Sequence, residues 1–133
     1  MTGVCIAAGV LAAALPVSAF TLAWTHSIEK IRWEEDYRIV DGRLLLEEAR
    51  IRGSGAGMEP PAGARFEHGV WHYRPDLPPL ERLRLTRSPY TAGYEICTAR
   101  GCRPLTALLP ELPEFAVVEV SACGAASSAP PIR

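Results

Sequence analysis

The chain has 133 residues, of which 48% are hydrophobic and 22% charged, and its formal net charge is -1. This length indicates one domain with a single core. The balanced charge excludes the basic surface expected of a nucleic-acid-binding domain, so we expect no nucleic-acid partner.

The segment Val4–Phe20 is apolar and uncharged, and three interpretations compete for it. Pro16 interrupts the segment, and a transmembrane helix needs about 20 apolar residues. Val17-Ser18-Ala19 resembles a signal-peptide cleavage site, but no Lys or Arg precedes the apolar stretch. We favour a retained pair of strands turning near Gly9 over an export signal. Residues 1–19 are therefore assigned as an N-terminal apolar segment that forms either retained strands or an export signal.

The next strands are predicted by residues that alternate between apolar and polar. The first of them, Phe20–Ile28, buries one face, which carries Phe20, Leu22, Trp24, His26 and Ile28. Trp33–Val40 and Arg43–Ile51 flank Asp41-Gly42. This dipeptide predicts a hairpin with a type I′ turn, because Asp and Gly tolerate the positive φ needed at both central positions.

The second half of the chain is richer in turn signals. Gly53–Gly63 holds four glycines and two prolines, which exclude regular structure. His68-Gly69 predicts a turn before the aromatic strand Val70–Arg74, whose Trp71-His72-Tyr73 is more typical of a core than of a binding platform. Thr106–Leu109 has room for one helical turn before Pro110. The remaining predicted strands are Leu80–Arg87, Tyr90–Cys97, Cys102–Leu105 and Phe115–Cys123.

Short strands joined by Gly, Pro and Asp turns predict an all-β fold. We expect a small antiparallel sandwich or partly open barrel of about 7–9 short strands, with at most one short helix. Residues 20–123 form this single β domain. Residues 124–133 are small residues and prolines, for which we expect disorder.

The four cysteines depend on the redox compartment for their interpretation. Cys97 and Cys102 flank a short loop ending in Gly101, and their sulfurs would face each other if the flanking residues pair as strands. A hairpin disulfide is expected if the chain is exported, and two thiols if it stays in a reducing cytosol. Cys5 and Cys123 lie near opposite ends, and their pairing stays open. The spacing matches neither a C-x-x-C redox motif nor a zinc site.

Polar residues around the first strand are the first candidates for chemistry. His26, with Ser27 beside it and Glu29 nearby, could bind a metal or a ligand. Its place on the apolar face favours a half-buried, hydrogen-bonded His instead. Glu34 and Asp36 share one face of the second strand and Glu35 the other. Such carboxylates serve acid–base chemistry or bind hard cations, but a solvated face paired with Lys30 or Arg32 is more common.

The glycine-rich loop is the second candidate. Gly53, Gly55 and Gly57 give G-x-G-x-G, which is neither the dinucleotide fingerprint nor a P-loop. Its backbone N–H groups could cradle an anion, and Met58 leads to its exit. A tight crossover between strands is an equally good interpretation. No cofactor, metal ligand or catalytic residue is assigned.

Five motifs follow one another along the chain: FTLAWTHSIEK, RWEEDY, GSGAGMEPP, WHYRPDLPPL and CRPL. With these motifs the chain resembles a bacterial family known as domain of unknown function 1850. The resemblance runs from about Phe20 to Leu105. It implies a small domain encoded beside TAXI-type TRAP transporters, which couple ion gradients to the uptake of organic anions. It implies no activity, cofactor or catalytic residue.

The leading hypothesis is a non-enzymatic accessory or ligand-binding domain of such a transporter. Its partner would be the membrane subunit or the substrate-binding protein, and a small organic anion is a further possible ligand. The periplasm or the extracytoplasmic membrane face is favoured over the cytoplasm. The predicted contact residues are His26, Ser27, Glu29, Glu34, Glu35, Gly55, Gly57 and Met58.

Two other classes of protein compete with this hypothesis. One is a metal-assisted or carboxylate-based hydrolase that uses His26 with Glu29 or Glu35. The other is a purely structural partner subunit that is unstable alone.

Overall fold

The structure is a computed structural model that describes residues 2–25, 31–52, 63–90 and 93–124. These residues form 11 strands and one short helix. In chain order the elements are β1 (Thr2–Ala8), β2 (Leu11–Leu15), β3 (Ala19–Thr25), β4 (Arg32–Val40), β5 (Arg43–Arg52), β6 (Arg65–Glu67), β7 (Val70–Tyr73), β8 (Arg82–Arg87), β9 (Glu95–Thr98), β10 (Gly101–Pro104), α1 (Leu105–Leu108) and β11 (Ala116–Gly124).

The strands form two antiparallel sheets that do not close into a barrel. The smaller sheet has the order β2-β1-β11-β8, and the larger has the order β10-β9-β3-β4-β5-β7-β6. The predicted all-β antiparallel sandwich is confirmed. The strands of the described residues exceed the expected 7–9, because β1, β2 and the three-residue β6 add to those assigned within residues 20–123.

Positive φ angles mark the hairpin turns. Asp41 and Gly42 have φ of 52° and 75°, and Val40 pairs with Arg43 across them. The predicted type I′ hairpin is therefore confirmed. His68 and Gly69 repeat this geometry, with φ of 52° and 78°, between β6 and β7.

The apolar N-terminal segment contributes two strands of the smaller sheet. β1 lies between β2 and β11, so the first and last strands of the described residues are neighbours in this sheet. Among the described residues, no helix is both long and apolar enough to cross a membrane.

The core lies between the two sheets. Val4, Ile6, Val118 and Val120 of the smaller sheet are fully buried. They belong to one apolar cluster with residues of the larger sheet and of α1, namely Phe20, Leu22, Tyr37, Leu44, Leu46, Ile96, Leu105 and Leu108. The face of the larger sheet that carries these residues is called the inner face below, and the opposite face the outer face.

A β-bulge in the β4–β5 pair decides which side chains share a face. Tyr37 pairs with Leu46 but Asp36 pairs with Glu48, so Glu47 is the additional residue. The bulge reverses the alternation along β5. Leu44 and Leu46 are buried before it and Ala49 and Ile51 after it, which leaves Glu48 on the outer face.

Two predicted strands are shorter than expected. Leu80 makes an isolated bridge to Leu44, and β8 begins only at Arg82. The strand predicted from Tyr90 begins at Glu95. The helical turn begins at Leu105, one residue before the predicted start, and Pro104 precedes it in an extended conformation.

Candidate functional site

Strand β4 places its carboxylates on opposite faces of the larger sheet. Glu34 and Asp36 lie on the outer face with their cross-strand neighbours Ala23 and Thr21, while Glu35 lies beside Leu22 on the inner face. This separation follows from the period of two in a strand. The two faces therefore have different chemistry, and each is described in turn.

Glu34 is the centre of the outer face. Its side chain accepts hydrogen bonds from Arg32 Nε at 2.9 Å, Arg50 Nε at 3.0 Å and a terminal nitrogen of Arg52 at 3.4 Å. The pairing with Arg32 expected from the sequence is present, but Glu34 is 8% exposed and is therefore not on a solvated face. Burial acts to raise the pKa of Glu34, but the hydrogen bonds from Arg32 and Arg50 outweigh it and the pKa lies below its ordinary value.

Arg50 connects Glu34 to a second carboxylate. Its terminal nitrogens bind Asp36 in a bidentate manner, at 2.6 and 2.7 Å, and Thr21 Oγ1 donates to Asp36 at 2.6 Å. Burial acts to raise the pKa of Asp36, but these hydrogen bonds hold it below its ordinary value. Planar, bidentate pairs of this kind are the strong form of ion pair.

The network continues to both sides of β4 and β5. On β7, His72 Nδ1 lies 3.1 Å from Glu48 Oε2, and Glu48 also accepts from Arg50 at 3.2 Å. On β9, Glu95 accepts from Arg32 at 3.2 Å. We call this set the ionic network: Thr21, Arg32, Glu34, Asp36, Glu48, Arg50, Arg52, His72 and Glu95. Three arginines and four carboxylates are paired in it, so each charge has an opposite charge beside it, which favours a structural role.

Glu35 has a different environment on the inner face. Tyr37 Oη donates a hydrogen bond to Glu35 at 2.7 Å. Burial raises the pKa of Glu35 above its ordinary value, and this hydrogen bond opposes the shift only in part. The pKa values of Tyr73 and Tyr94 are also raised, first by their burial and then by the charge of Glu35. Glu35 is thus a half-buried carboxylate that is hydrogen-bonded to Tyr37 and whose charge acts on Tyr73 and Tyr94.

A row of aromatic side chains crosses the inner face at the level of Trp33, which lies two residues before Glu35 on β4. Cross-strand pairs align Trp24 with Trp33, Trp33 with Ile51, Ile51 with Trp71, and Trp71 with Phe66. The row contains all three tryptophans of the chain. The ring centroids of Trp24 and Trp33 are 6.0 Å apart, and those of Phe66 and Trp71 are 4.9 Å apart.

Trp33 also carries an unusual polar atom. Its Nε1 is buried and has no hydrogen-bond partner among the described residues. A buried donor without an acceptor is costly, and it marks a position where a ligand or partner acceptor would be favourable. We call the combination of Glu35, Tyr37, Tyr73, Tyr94 and the aromatic row the inner-face site.

The inner-face site lies where two connections leave the larger sheet. Thr25 pairs with Arg32, and Trp33 pairs with Ile51. The last residues of β3 and β5 therefore lie at the end of the sheet that carries the aromatic row. Of the predicted contact residues, Glu34 and Glu35 are described, and they lie on opposite faces. Outside the described residues are His26, Ser27, Glu29, Gly55, Gly57 and Met58.

All four cysteines are paired. Cys97 is bonded to Cys102 and Cys5 to Cys123. In the described part of the chain, one group has the spacing of metal ligands, with donor atoms of Glu95, Cys97 and Cys102 within 4.8 Å of one another. The two sulfurs are bonded to each other, and Arg32 occupies the carboxylate, so this group is not open to a metal.

The pH dependence of stability distinguishes the two faces. Because folding raises the pKa of Glu35, the stability linked to its protonated form is fully present below the ordinary value of 4.5 and is lost as pH rises through the raised pKa. We therefore expect Glu35→Gln to be more stable than the wild type at neutral pH, with the difference shrinking as pH falls toward 4.5. Urea unfolding at several pH values measures it.

Glu34→Gln provides the control with the opposite sign. Folding lowers the pKa of Glu34, so its contribution is present above the ordinary value of 4.5 and is lost as pH falls through the lowered pKa. The Gln variant should be less stable than the wild type at neutral pH and approach it in acid. Equal and parallel pH profiles for the two variants would contradict the assignment of Glu35 to a desolvated site.

The fold and the inner-face site define an open antiparallel β-sandwich domain that carries one desolvated carboxylate among aromatic side chains. The chain belongs to the family described as domain of unknown function (DUF1850), whose family model matches residues 20–105. The matched range includes nearly all of the larger sheet and β8, whereas β1, β2 and β11 lie outside it. No curated protein and no solved structure matches the chain significantly.

Proposed function

We propose that this domain is a non-enzymatic accessory domain of a TAXI-type TRAP transporter, and that the inner-face site binds a partner of the transport system. The link to the transporter is supported by the resemblance of the chain to its family. The binding role is supported chiefly by Glu35, which has no arginine against it among the described residues, whereas an arginine contacts each of the outer-face carboxylates Glu34, Asp36 and Glu48.

The chemistry of the site favours a basic or aromatic group of a protein partner. The ionised Glu35 attracts a cation, and the faces of Trp24, Trp33 and Trp71 add cation–π and stacking surface. A half-buried carboxylate instead disfavours a small organic anion. The membrane subunit and the substrate-binding protein are the partners we propose.

The two disulfides support a place outside the cytoplasm. All four cysteines are used in Cys5–Cys123 and Cys97–Cys102. Disulfides persist in oxidising compartments such as the periplasm. We accordingly propose that the domain works at the extracytoplasmic face of the membrane.

Co-purification tests this proposal. The full chain is co-expressed with the membrane subunit and the substrate-binding protein, and each is captured with and without detergent. We expect one of them to be retained by the wild type and lost from Glu35→Gln. Glu47→Gln is the matched control, because Glu47 is an exposed carboxylate on β5 that pairs with Arg38. The proposal would be overturned if the wild-type domain retained neither transporter subunit. It would also be overturned if Glu35→Gln and Glu47→Gln lost the retained subunit to the same extent.

The same variants test transport itself. We expect Glu35→Gln, and separately His26→Ala with Glu29→Ala, to reduce substrate uptake while the free energy of unfolding of the double variant changes by no more than about 1 kcal/mol. A large loss of stability with normal uptake would assign these residues a structural role.

The hydrolase hypothesis gives a different result in one measurement. The raised pKa of Glu35 is a property that a general acid also needs. Metal analysis of protein purified without a histidine tag distinguishes the hydrolase hypothesis from the binding proposal. Stoichiometric zinc that is lost on His26→Ala or Glu35→Gln would replace the binding proposal by the metal-assisted hydrolase.

A further inference from the structure

Strand β2 is an edge of the smaller sheet, with β1 as its neighbour. Gly9-Val10 connects the two strands as a two-residue turn, with Ala8 opposite Leu11. The residues that flank such a turn exchange both backbone hydrogen bonds, and hydrogen-bonded pairs then alternate along the ladder. It follows that Leu11, Ala13 and Leu15 bond to β1, and that the backbone groups of Ala12 and Ala14 point away from the sheet.

This edge lacks the features that usually prevent strand pairing. Edge strands are commonly protected by charged side chains, prolines or bulges. Of the four sheet edges in the described residues, β6, β8 and β10 contain charged residues (Arg65, Glu67, Arg82, Arg84, Arg87 and Arg103), and β2 contains none. The β2 sequence is Leu-Ala-Ala-Ala-Leu, and Pro16 follows only after it ends.

We propose that β2 is the interface of a homodimer, in which two copies of the chain pair their β2 strands antiparallel about a two-fold axis at Ala13. The β2 sequence reads the same in both directions, so this register places Leu11 opposite Leu15 of the partner copy and Ala12 opposite Ala14 of the partner copy. Ala12 and Ala14 are the residues whose backbone groups point outward. The residues that pair across this two-fold axis are therefore the ones that can form backbone hydrogen bonds with the partner copy. Pairing of the two β2 strands joins the two smaller sheets into one continuous sheet.

The side chains of β2 also suit a second copy. Leu11, Ala13 and Leu15 are half-buried on the core side, and Ala12 and Ala14 are exposed on the other. A cleft of about 200 Å³ adjoins the edge, and it is lined by Leu11, Ala12, Leu108, Leu109, Pro110 and Glu111. The leucine that the partner copy places opposite Leu11 would enter this apolar cleft.

Charge favours a second copy over a charged partner strand. Residues 9–18 carry no charged side chain, so two copies meet at this edge without like-charge repulsion. A partner strand rich in Lys, Arg, Asp or Glu would find no opposite charge along β2. The small alanine side chains also allow close approach of the two backbones.

Sedimentation equilibrium of the full chain under non-reducing conditions tests the homodimer. We expect the wild type to rise from the monomer mass of 14.4 kDa to twice that mass as concentration increases. Ala12→Lys with Ala14→Lys should abolish this rise, because each introduced lysine faces another across the two-fold axis. Ala12→Glu with Ala14→Glu should abolish it in the same way.

Mixing provides the decisive measurement. The lysine and glutamate variants should each be monomeric alone, and should form a salt-sensitive heterodimer when mixed in equal amounts. Thr86→Lys with Val117→Lys is the matched control, because these exposed, paired positions lie on the same sheet away from β2. This control should dimerise like the wild type.

A third variant distinguishes loss of the dimer from misfolding, which the charged substitutions could also cause. Ala14→Pro removes an outward N–H without removing a bond to β1, so it should weaken the dimer while near-ultraviolet circular dichroism stays unchanged. A wild type that remains monomeric at millimolar concentration would overturn the proposal. So would lysine variants that dimerise normally, or a mixture of folded variants that stays monomeric.

Discussion

Glu34→Gln is expected to lower the free energy of unfolding by about 3 kcal/mol at neutral pH. The substitution keeps the shape of the side chain but removes the charge that Arg32, Arg50 and Arg52 share. Glu34 is almost fully buried, so Arg32 and Arg50 each lose one counter-charge in a poorly solvated place, while Glu95 still pairs with Arg32 and Asp36 with Arg50. Urea unfolding at neutral pH measures the loss.

The matched control for this prediction is again Glu47→Gln. The Arg38–Glu47 pair has a shorter distance, 2.6 Å, than any contact of Glu34, yet its side chains are 50% and 43% exposed. Solvent and salt screen such a pair, so we expect a change within about 0.5 kcal/mol. Comparable losses in the two variants would show that burial of Glu34 does not control the strength of the ionic network.

Removal of the Cys5–Cys123 disulfide is expected to have the largest effect on stability. This bond joins residues 118 positions apart and closes nearly the whole chain into one loop. By the loop-entropy relation, the loss of such a constraint on the unfolded chain amounts to about 5 kcal/mol. Cys5→Ser with Cys123→Ser should therefore unfold at a much lower denaturant concentration than the wild type.

The second disulfide is the control for the first. Cys97–Cys102 joins residues only 5 positions apart. The same relation gives about 2 kcal/mol for the loss of this short loop, so Cys97→Ser with Cys102→Ser should be the more stable of the two double variants. The order is measured by urea unfolding without reductant. A reversed order would mean that the terminal strands are held together chiefly by contacts of β1 with β11 and not by the covalent link.

The sequence predicted only two features of the inner-face site. Alternation placed Trp24 on the buried face of β3, and it separated Glu35 from Glu34 and Asp36. Nothing in the local sequence around Trp33, Tyr37 and Trp71 shows that these residues meet Trp24 and Glu35. Their alignment depends on the pairing of four strands, and pairing is a long-range property.

Of the ionic network, the sequence predicted only a pairing of the β4 carboxylates with Arg32, which Glu34 makes, and the rest was missed for a more specific reason. Counting back from the Asp41-Gly42 turn aligns Tyr37 with Leu46 correctly, and would then align Asp36 with Glu47. The bulge shifts the register by one residue, and only this shift brings Glu48 and Arg50 onto the outer face with Asp36. The apolar positions do change phase along β5, from Leu44 and Leu46 to Ala49 and Ile51, but this change alone does not show which partner of Asp36 the additional residue displaces.

By itself, the sequence determined the all-β class, the Asp41-Gly42 hairpin and the opposite faces of Glu34 and Glu35. These features depend on neighbouring residues, through the period of two in strands and the positive φ of turn residues. The tertiary structure alone decided that Cys5 meets Cys123, that three arginines converge on Glu34, and that the tryptophans form one row. These contacts join distant residues, and their geometry is set by strand order and register, which local sequence does not encode.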